Sequence, residues 1–403
     1  MVYKVDFYAT LVCVVLVLLL GSYIIKRVRF FQDYSIPEPV VGGLLVALVF
    51  LVLRQTAGIE FKFDTSMKDP LMLAFFSSVG LLADLSSLKK GGLRLVVFLA
   101  CVSVLLIMQN VVGIGIAGLL GENSLIGLLS GSITMTGGHG TGAAWASVFV
   151  KEPYNFSVAT EVAMASATFG LVAGGIIGGP VARYIIKKYD LKTPGATDGE
   201  EVAMTNFEEP QKERLITQKS FIESLALISV CLLGGTYIDG VVKSVSSLTV
   251  PTFVYCLVIG LVLRNTLGAL KIFEVFDKEV SLLGNVSLSL FLALSLMTIN
   301  LWQLVSLALP IATILTVQVA LTIFFAVHVT FRFSGKDYDA AVLSAGHCGF
   351  GLGATPTAMV NMQAVTSRYG MSHLAFIIVP LCGAFLVDIV NLSVITFFLK
   401  FVG

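Results

Sequence analysis

The chain has 403 residues, 56% of them hydrophobic and only 13% charged, with a formal net charge of +1. A water-soluble domain carries roughly a quarter charged residues, so this composition excludes one and calls for an all-α polytopic membrane protein. The balanced charge gives no reason to expect a nucleic-acid partner, and the six cysteines (Cys13, Cys101, Cys231, Cys256, Cys348 and Cys382) stand singly, without metal-ligand spacing.

Runs of about twenty apolar residues, long enough to cross a bilayer core, then follow one another along the chain. Residues 8–25 predict a first span. It has only Lys4 before it and no small-residue cleavage site, so we read it as retained. Spans two to four are predicted at 36–53, 70–87 and 95–119, a re-entrant hairpin at about 125–147, and span five at 157–186. Residues 190–219 differ: Pro194, Gly195, Asp198, Gly199, Glu200, Glu201, Glu208, Glu209 and Pro210 make a polar linker without apolar period. It divides a first half (1–189) from a second (220–403). The second half repeats the plan, with spans at 220–240, 250–264, 280–299 and 303–332, a hairpin at about 339–362, and span ten at 372–399.

Lysine and arginine orient these spans. Lys26, Arg27, Arg29, Lys89, Lys90, Arg94, Arg183, Lys187, Lys188, Arg264, Lys271, Arg332, Lys336 and Arg368 fall on one side, together with the linker. The positive-inside rule makes that side cytoplasmic and puts both termini outside. Five spans per half is an odd number, so the halves have opposite orientation. The expected architecture is two inverted-topology repeats of five transmembrane helices, each with a re-entrant hairpin, meeting at one midplane site. Ile36-Pro37 matching Val250-Pro251, and Gly138-His139 matching Gly346-His347, fit such a repeat.

The two hairpins carry the chemistry. Ser132–Trp145 reads SITMTGGHGTGAAW and Ser344–Thr357 reads SAGHCGFGLGATPT. Glycine at this density breaks helices. A break at membrane depth is tolerated only where it lines a cavity or is buried in protein. The candidate substrate-binding residues are Ser132, Thr134, Thr136, Gly137, Gly138, His139, Gly140 and Thr141 in the first stretch. In the second they are Gly346, His347, Cys348, Gly349, Gly351, Gly353, Thr355 and Thr357. Bare N–H groups at half-helix N-termini hold carboxylates; unwound carbonyls and hydroxyls hold a hard monovalent cation. Close helix packing by small residues is the competing explanation. His139 and His347 either donate to a carboxylate or relay a proton, or brace the hairpins as neutral imidazoles.

Asp388 is the acid most clearly inside a span, and Asn391 shares its helix face. A carboxyl there must face the protein interior, as a sodium ligand or the partner of an ammonium group. Glu161 and Asp84 lie near span ends and read as interfacial; Glu38, between two prolines, is open between site and interface. Ser166, Gly170, Gly174 and Gly178 form a packing stripe on span five. The P-loop, HExxH and GxSxG patterns are absent, so neither an ATP-driven nor an enzymatic reading has support.

The sequence resembles the glutamate:sodium symporter family of bacteria. The resemblance rests on Ile36-Pro-Glu-Pro-Val, Asp69-Pro-Leu-Met-Leu-Ala-Phe-Phe, Gly131-Ser-Ile-Thr with Gly137-Gly-His-Gly-Thr-Gly-Ala-Ala-Trp, Gly284-Asn-Val-Ser-Leu-Ser-Leu-Phe-Leu-Ala, and Ala345-Gly-His-Cys-Gly-Phe-Gly-Leu-Gly-Ala-Thr-Pro-Thr-Ala. It covers nearly the whole chain and weakens in the linker and at the termini. It implies sodium-driven glutamate uptake by an elevator-like movement, ten spans with two re-entrant loops, and a homodimer in lipid of the bacterial inner membrane. Sodium would then be the coupling ion and no cofactor is expected. Candidate sodium ligands are Thr134, Thr136, Thr355, Asp388 and, in the matched stretch, Asn285. Asp84 falls where the family pattern leads one to expect an amide. The alternatives are a carrier of another dicarboxylate, such as citrate or malate, or a channel built on the same glycine-rich backbone.

Overall fold

The computed structural model describes residues 2–33, 36–85, 88–194, 215–245, 250–299 and 307–402. The expected linker falls largely on 195–214, outside the described residues. In the first half the helices are α1 (Phe7–Ile25), α2 (Arg29–Asp33), α3 (Glu38–Ala57), α4 (Lys68–Leu82), α5 (Leu88–Leu119), α6 (Ser124–Leu128), α7 (Gly138–Phe149) and α8 (Ala159–Lys188). In the second half they are α9 (Gln218–Val245), α10 (Thr252–Leu270), α11 (Asp277–Met297), α12 (Ala308–Phe325), α13 (Phe331–Phe333), α14 (Tyr338–Leu352), α15 (Thr355–Tyr369), α16 (His373–Leu381) and α17 (Val387–Val402). Wider π-helical turns at Leu129–Ile133, Ala326–Thr330 and Cys382–Leu386 join α6 toward α7, α12 to α13 and α16 to α17.

Eight of these helical runs are long and apolar enough to cross a bilayer. Two further expected spans fall outside that count for local reasons. Helix α4 has only 15 residues, and the run from α16 to α17 is split by its π turn just after Pro380. One feature departs from the all-α expectation: β1 (Val2–Val5) pairs in parallel with β2 (Glu60–Phe63), Val2 opposite Glu60 and Val5 opposite Phe63. The alternating Glu60-Phe61-Lys62-Phe63 suits a strand, and Tyr3 stacks on Phe61 at 5.8 Å.

Local sequence explains where the helices begin. Asp6 accepts from Ala9 N to cap α1, and Asn123 from Leu125 N to cap α6. Asp337 accepts from Ala340 N to cap α14, and Ser372 from Ala375 N to cap α16. Pro37 and Pro251 precede α3 and α10 in the same extended conformation, ψ 143° in each.

The helices sort into two packed groups. In one, α3 packs on α1 and α11, while α10 packs on α9 and α4, and α4 lies against α11. In the other, α8 packs on α7, α14 and α15, α5 on α6 and α12, and α14 on α16. The main contacts between groups are α7 on α11 and the Cys382–Leu386 turn on α4. Within the first group backbones approach closely at glycine: Gly80 and Gly260 bring α4 and α10 together, where a side-chain carbon on either would strike the other's backbone. Outward faces of α1, α3, α9 and α12 expose Leu16, Leu19, Leu48, Val52, Leu233 and Leu309, as helices solvated by lipid require.

Candidate functional site

A cavity of about 570 Å³ lies between the two groups. One wall is the N-terminus of α3 (Pro37, Glu38, Pro39), α4 (Phe75, Phe76, Ser78, Val79) and α11 (Ser281, Asn285, Leu288, Ser289). The other wall is both hairpin tips: Thr136, Gly137, Gly138, His139, Gly140 and Thr141 from the first, and Gly353, Ala354, Thr355, Pro356 and Thr357 from the second. Asp388 closes it.

The first hairpin breaks in two steps. Its first limb leaves helical geometry at Gly131 (φ −96°, ψ −141°) inside the π turn. After a turn at Thr136–Gly137 the chain restarts as α7 at Gly138, whose φ of +62° is strained for any residue with a side chain. A Cβ there would also lie 3.1 Å from Gly353 O, so the two tips touch at this glycine. The second hairpin breaks once, at Gly353–Ala354, and restarts as α15 at Thr355. Neither α7 nor α15 has a side-chain N-cap. Two helix N-termini with bare N–H groups therefore reach one cavity.

A glutamine joins the tips. Gln109 on α5 donates through Nε2 to Gly351 O at 2.8 Å and accepts at Oε1 from Thr136 Oγ1 at 2.9 Å. Gln318 on α12 in turn donates to Gln109 O at 2.7 Å. Asn110 and Asn391 hold the first break: Ser132 N donates to Asn110 Oδ1, and Asn391 Nδ2 donates to Ser132 O, each at 2.9 Å. Gln109, Asn110 and Gln318 escaped the sequence analysis, which followed glycine and charge. The signal was present, because a Gln-Asn pair inside the apolar run Leu105–Val112 is costly at membrane depth unless it serves a buried partner.

The structure sorts the candidates. Thr136–Thr141, Gly353, Thr355, Thr357, Asn285 and Asp388 line the cavity. Asp388 has no hydrogen-bond or ion-pair partner among the described residues. Thr355 Oγ1 donates to Gly383 O at 3.1 Å, and Thr357 Oγ1, almost fully buried, has no partner among the described residues. Asn285 Nδ2 donates to Ser281 Oγ at 3.3 Å. Ser132 and Thr134 are buried in the first limb, where Thr134 Oγ1 donates to Leu129 O, and Asn391 sits behind them.

Gly346, His347, Cys348, Gly349 and Gly351 lie outside the cavity lining. Here helix α14 continues through all of its glycines, so the expected break covers only Gly353–Ala354. Packing is the reason: a Cβ at Gly349 would meet Ala358 Cα and N at 2.5 Å, so the limbs of this hairpin close on glycine. The Gly-His pairs are consequently not equivalent in place. His139 sits on the cavity, where Thr168 Oγ1 donates to Met164 O at 2.8 Å and is left to accept from His139 Nε2 at 3.1 Å. His347 is fully buried two turns before its break, with Nδ1 2.7 Å from Thr330 Oγ1 and its ring stacked on Phe350. Glu38 lines the cavity; Glu161, buried at the start of α8, and Asp84, which follows α4, are not among its lining residues.

A smaller cavity of about 340 Å³ lies at the other ends of these helices, lined by Asp69, Trp145, Lys151, Asp239, Lys243 and Thr252. Phe76, Phe253 and Trp145 stand between the two, with Phe76 and Phe253 ring centres 4.5 Å apart and Trp145 edge-on to Phe253 at 5.5 Å.

The family model for sodium/glutamate symporters matches residues 3–371. The chain is 54% identical over 397 residues to a sodium/glutamate symporter of Escherichia coli (strain K12), covering 98% of each chain. It is 49% identical over 395 residues to one of Haemophilus influenzae, covering 98% of this chain and 97% of the relative. That family consists of transporters and not of enzymes, and this chain belongs to it: it is a member of the sodium/glutamate symporter family.

Proposed function

We propose that the chain is a sodium-coupled carrier of glutamate with one substrate site, built between two re-entrant hairpins. One observation carries this reading: two uncapped helix N-termini and an unpaired carboxylate converge on a single cavity. Glutamate presents two carboxylates and one ammonium group. The N–H groups of Gly138–Thr141 suit one carboxylate, and the first turn of α15 with the free Thr357 hydroxyl suits the other. Asp388 then receives the ammonium group, with His139 beside it. The relatives' names supply the sodium and the glutamate; the pattern of charge in the cavity fits them.

The architecture we infer is a pair of inverted repeats with ten spans. Its support is reciprocal packing: α3 meets α11 as α10 meets α4, and α1 meets α11 as α9 meets α4. Pro37 and Pro251 start equivalent helices. The large cavity opens among the ends of α3, α4 and α11 that adjoin the basic loops, so this conformation faces the cytoplasm, with termini periplasmic and linker cytoplasmic. Alternating access by elevator movement fits the division into two groups, since the hairpin group meets its neighbour across few contacts. A homodimer of the other group, in the inner membrane, completes the reading.

Glutamate enters as a net anion, which an inside-negative potential opposes by about 2.3 kcal/mol per 100 mV. One sodium ion neutralises the load; two or more turn the potential into a driving force, and we assign at least two. In proteoliposomes, labelled glutamate is expected to accumulate against its gradient only with an inward sodium gradient, and faster with an imposed inside-negative potential. Uptake indifferent to the potential would contradict the stoichiometry. Conductance without accumulation would make the protein a channel, and equal competition by citrate or malate would make it a broader dicarboxylate carrier.

A further inference from the structure

Around the first break, four fully or almost fully buried polar atoms have no partner among the described residues: Ser132 Oγ, Asn391 Oδ1, Gln318 Oε1 and Asn110 Nδ2. Leaving each of them so is costly at membrane depth. Their orientations are fixed by the opposite ends of the same side chains. Asn391 must present Nδ2 to Ser132 O, which turns its Oδ1 outward. Gln318 must present Nε2 to Gln109 O, which turns its Oε1 outward. Asn110 must present Oδ1 to Ser132 N. The groups also lie together: Asn110 and Asn391 both bond the Ser132 peptide, and a Cβ at neighbouring Gly131 would lie 3.2 Å from Gln109 O. Three oxygens from three separate elements, each without a donor among the described residues, thus belong to side chains that meet at the Ser132 backbone or beside it.

We propose that this cluster, and not the cavity hydroxyls, is a sodium site, a proposal that rests on the sodium-coupled reading given above. The chemistry favours a monovalent cation. The oxygens are neutral, whereas a divalent ion of this kind is ordinarily held by carboxylates. The site also lies at the C-terminal end of the broken limb Ser124–Ile133, where the helix dipole is negative, as is usual for alkali ions bound at discontinuous membrane helices. Asn110 Nδ2 is the one donor among the four, and it is left to donate to a water of the ion's shell. The placement also accounts for coupling. The ion braces Ser132, and Ser132 O accepts from Gly137 N at 3.1 Å, where the tip begins. From there the chain runs directly into the Gly138–Thr141 N–H groups. Asn391 lies one helical turn from Asp388 on the same face of α17. Sodium bound here therefore orders the tip before glutamate arrives.

The test uses the full chain in proteoliposomes and, without glutamate, in detergent. Ser132→Ala removes one ligand and leaves both amide bonds to the Ser132 backbone in place; Asn391→Ala removes another together with one of those bonds. Loss of one ion–oxygen contact is expected to raise the sodium concentration for half-maximal uptake by about tenfold or more. It should also diminish the sodium-induced rise in thermal midpoint. Half-saturation by glutamate at saturating sodium should stay within about threefold, well under 1.4 kcal/mol. Ser132→Thr, which restores a hydroxyl, should recover most of the sodium affinity. If Asn391→Ala does not fold, Ser132→Ala decides alone. Wild-type sodium dependence of Ser132→Ala in both readouts would overturn the site and leave the cluster as a hydrated structural knot. Absence of sodium dependence in the unmodified chain would instead overturn the proposed function itself.

Discussion

The two hairpins use glycine for opposite purposes. In the first, Gly131 and Gly138 adopt backbone conformations off the helix, and the chain turns over Thr136–Gly137. In the second, α14 stays helical through Gly346, Gly349 and Gly351, and those glycines admit neighbouring segments instead. The first hairpin sets Gly131 and Gly138 at its opening, while the second keeps Gly346, Gly349 and Gly351 for a close fit. The same composition therefore yields a partly unwound limb with amide-braced carbonyls on one side and a rigid limb on the other. The unwound hairpin holds the proposed ion and presents the histidine; the rigid one contributes a bare helix N-terminus to the shared cavity.

Substitutions can break or sharpen this contrast. The largest functional effect should come from Gly138→Ala. A left-handed residue with a side chain costs about 1–2 kcal/mol, and the added carbon crowds the second tip. Glutamate uptake should fall by about tenfold or more in protein that still purifies as a folded species. Gly349→Ala should act the other way round, lowering the thermal midpoint through about 1–3 kcal/mol of overpacking between the limbs. Gly351→Ala, whose new carbon would lie 3.3 Å from Leu105 Cδ2, should be tolerated far better. If Gly138→Ala and Gly349→Ala prove alike in both assays, the contrast is mistaken.

The histidines give a finer comparison. His139→Ala should raise half-saturation by glutamate, because the ring lies on the cavity. His347→Leu should leave half-saturation unchanged and alter only stability, since that ring is sealed between Phe98 and Phe350. Smallest are the caps. Asp337 caps α14 and accepts from Arg94 at 2.9 Å, whereas Asn123 only caps α6. Removing a cap costs about 0.5–2 kcal/mol. Asp337→Ala should fall toward the upper end of that range and Asn123→Ala toward the lower, read as loss of thermal midpoint.

Much of the frame was legible in the sequence because a bilayer imposes a coarse rule. Apolar runs of spanning length, basic loops and prolines at 37 and 251 place the helices to within a few residues of where they lie. Gly137-Gly138 and Gly353, beside threonines, marked the two tips that line the cavity, and Asp388 was marked by the cost of a carboxyl in a span. Where each helix breaks was not legible. That depends on whether a glycine faces a neighbouring backbone, as Gly349 does, or must turn left-handed, as Gly138 does, and neither condition is local to the sequence. Gln109, Asn110 and Gln318 were hidden for the same reason, since their partners are carbonyls and N–H groups that only tertiary structure exposes. The short β1–β2 ladder went unseen because its strands are four residues each and separated by two spans.

The central claim is that both hairpin tips hold one glutamate molecule. The most direct measurement is a structure of the full chain in lipid nanodiscs with saturating sodium and glutamate. The account predicts glutamate density between the first turns of α7 and α15, with its ammonium group at Asp388. Density confined to the outer cavity beside Trp145, or a carboxylate rather than the ammonium group against Asp388, would contradict it.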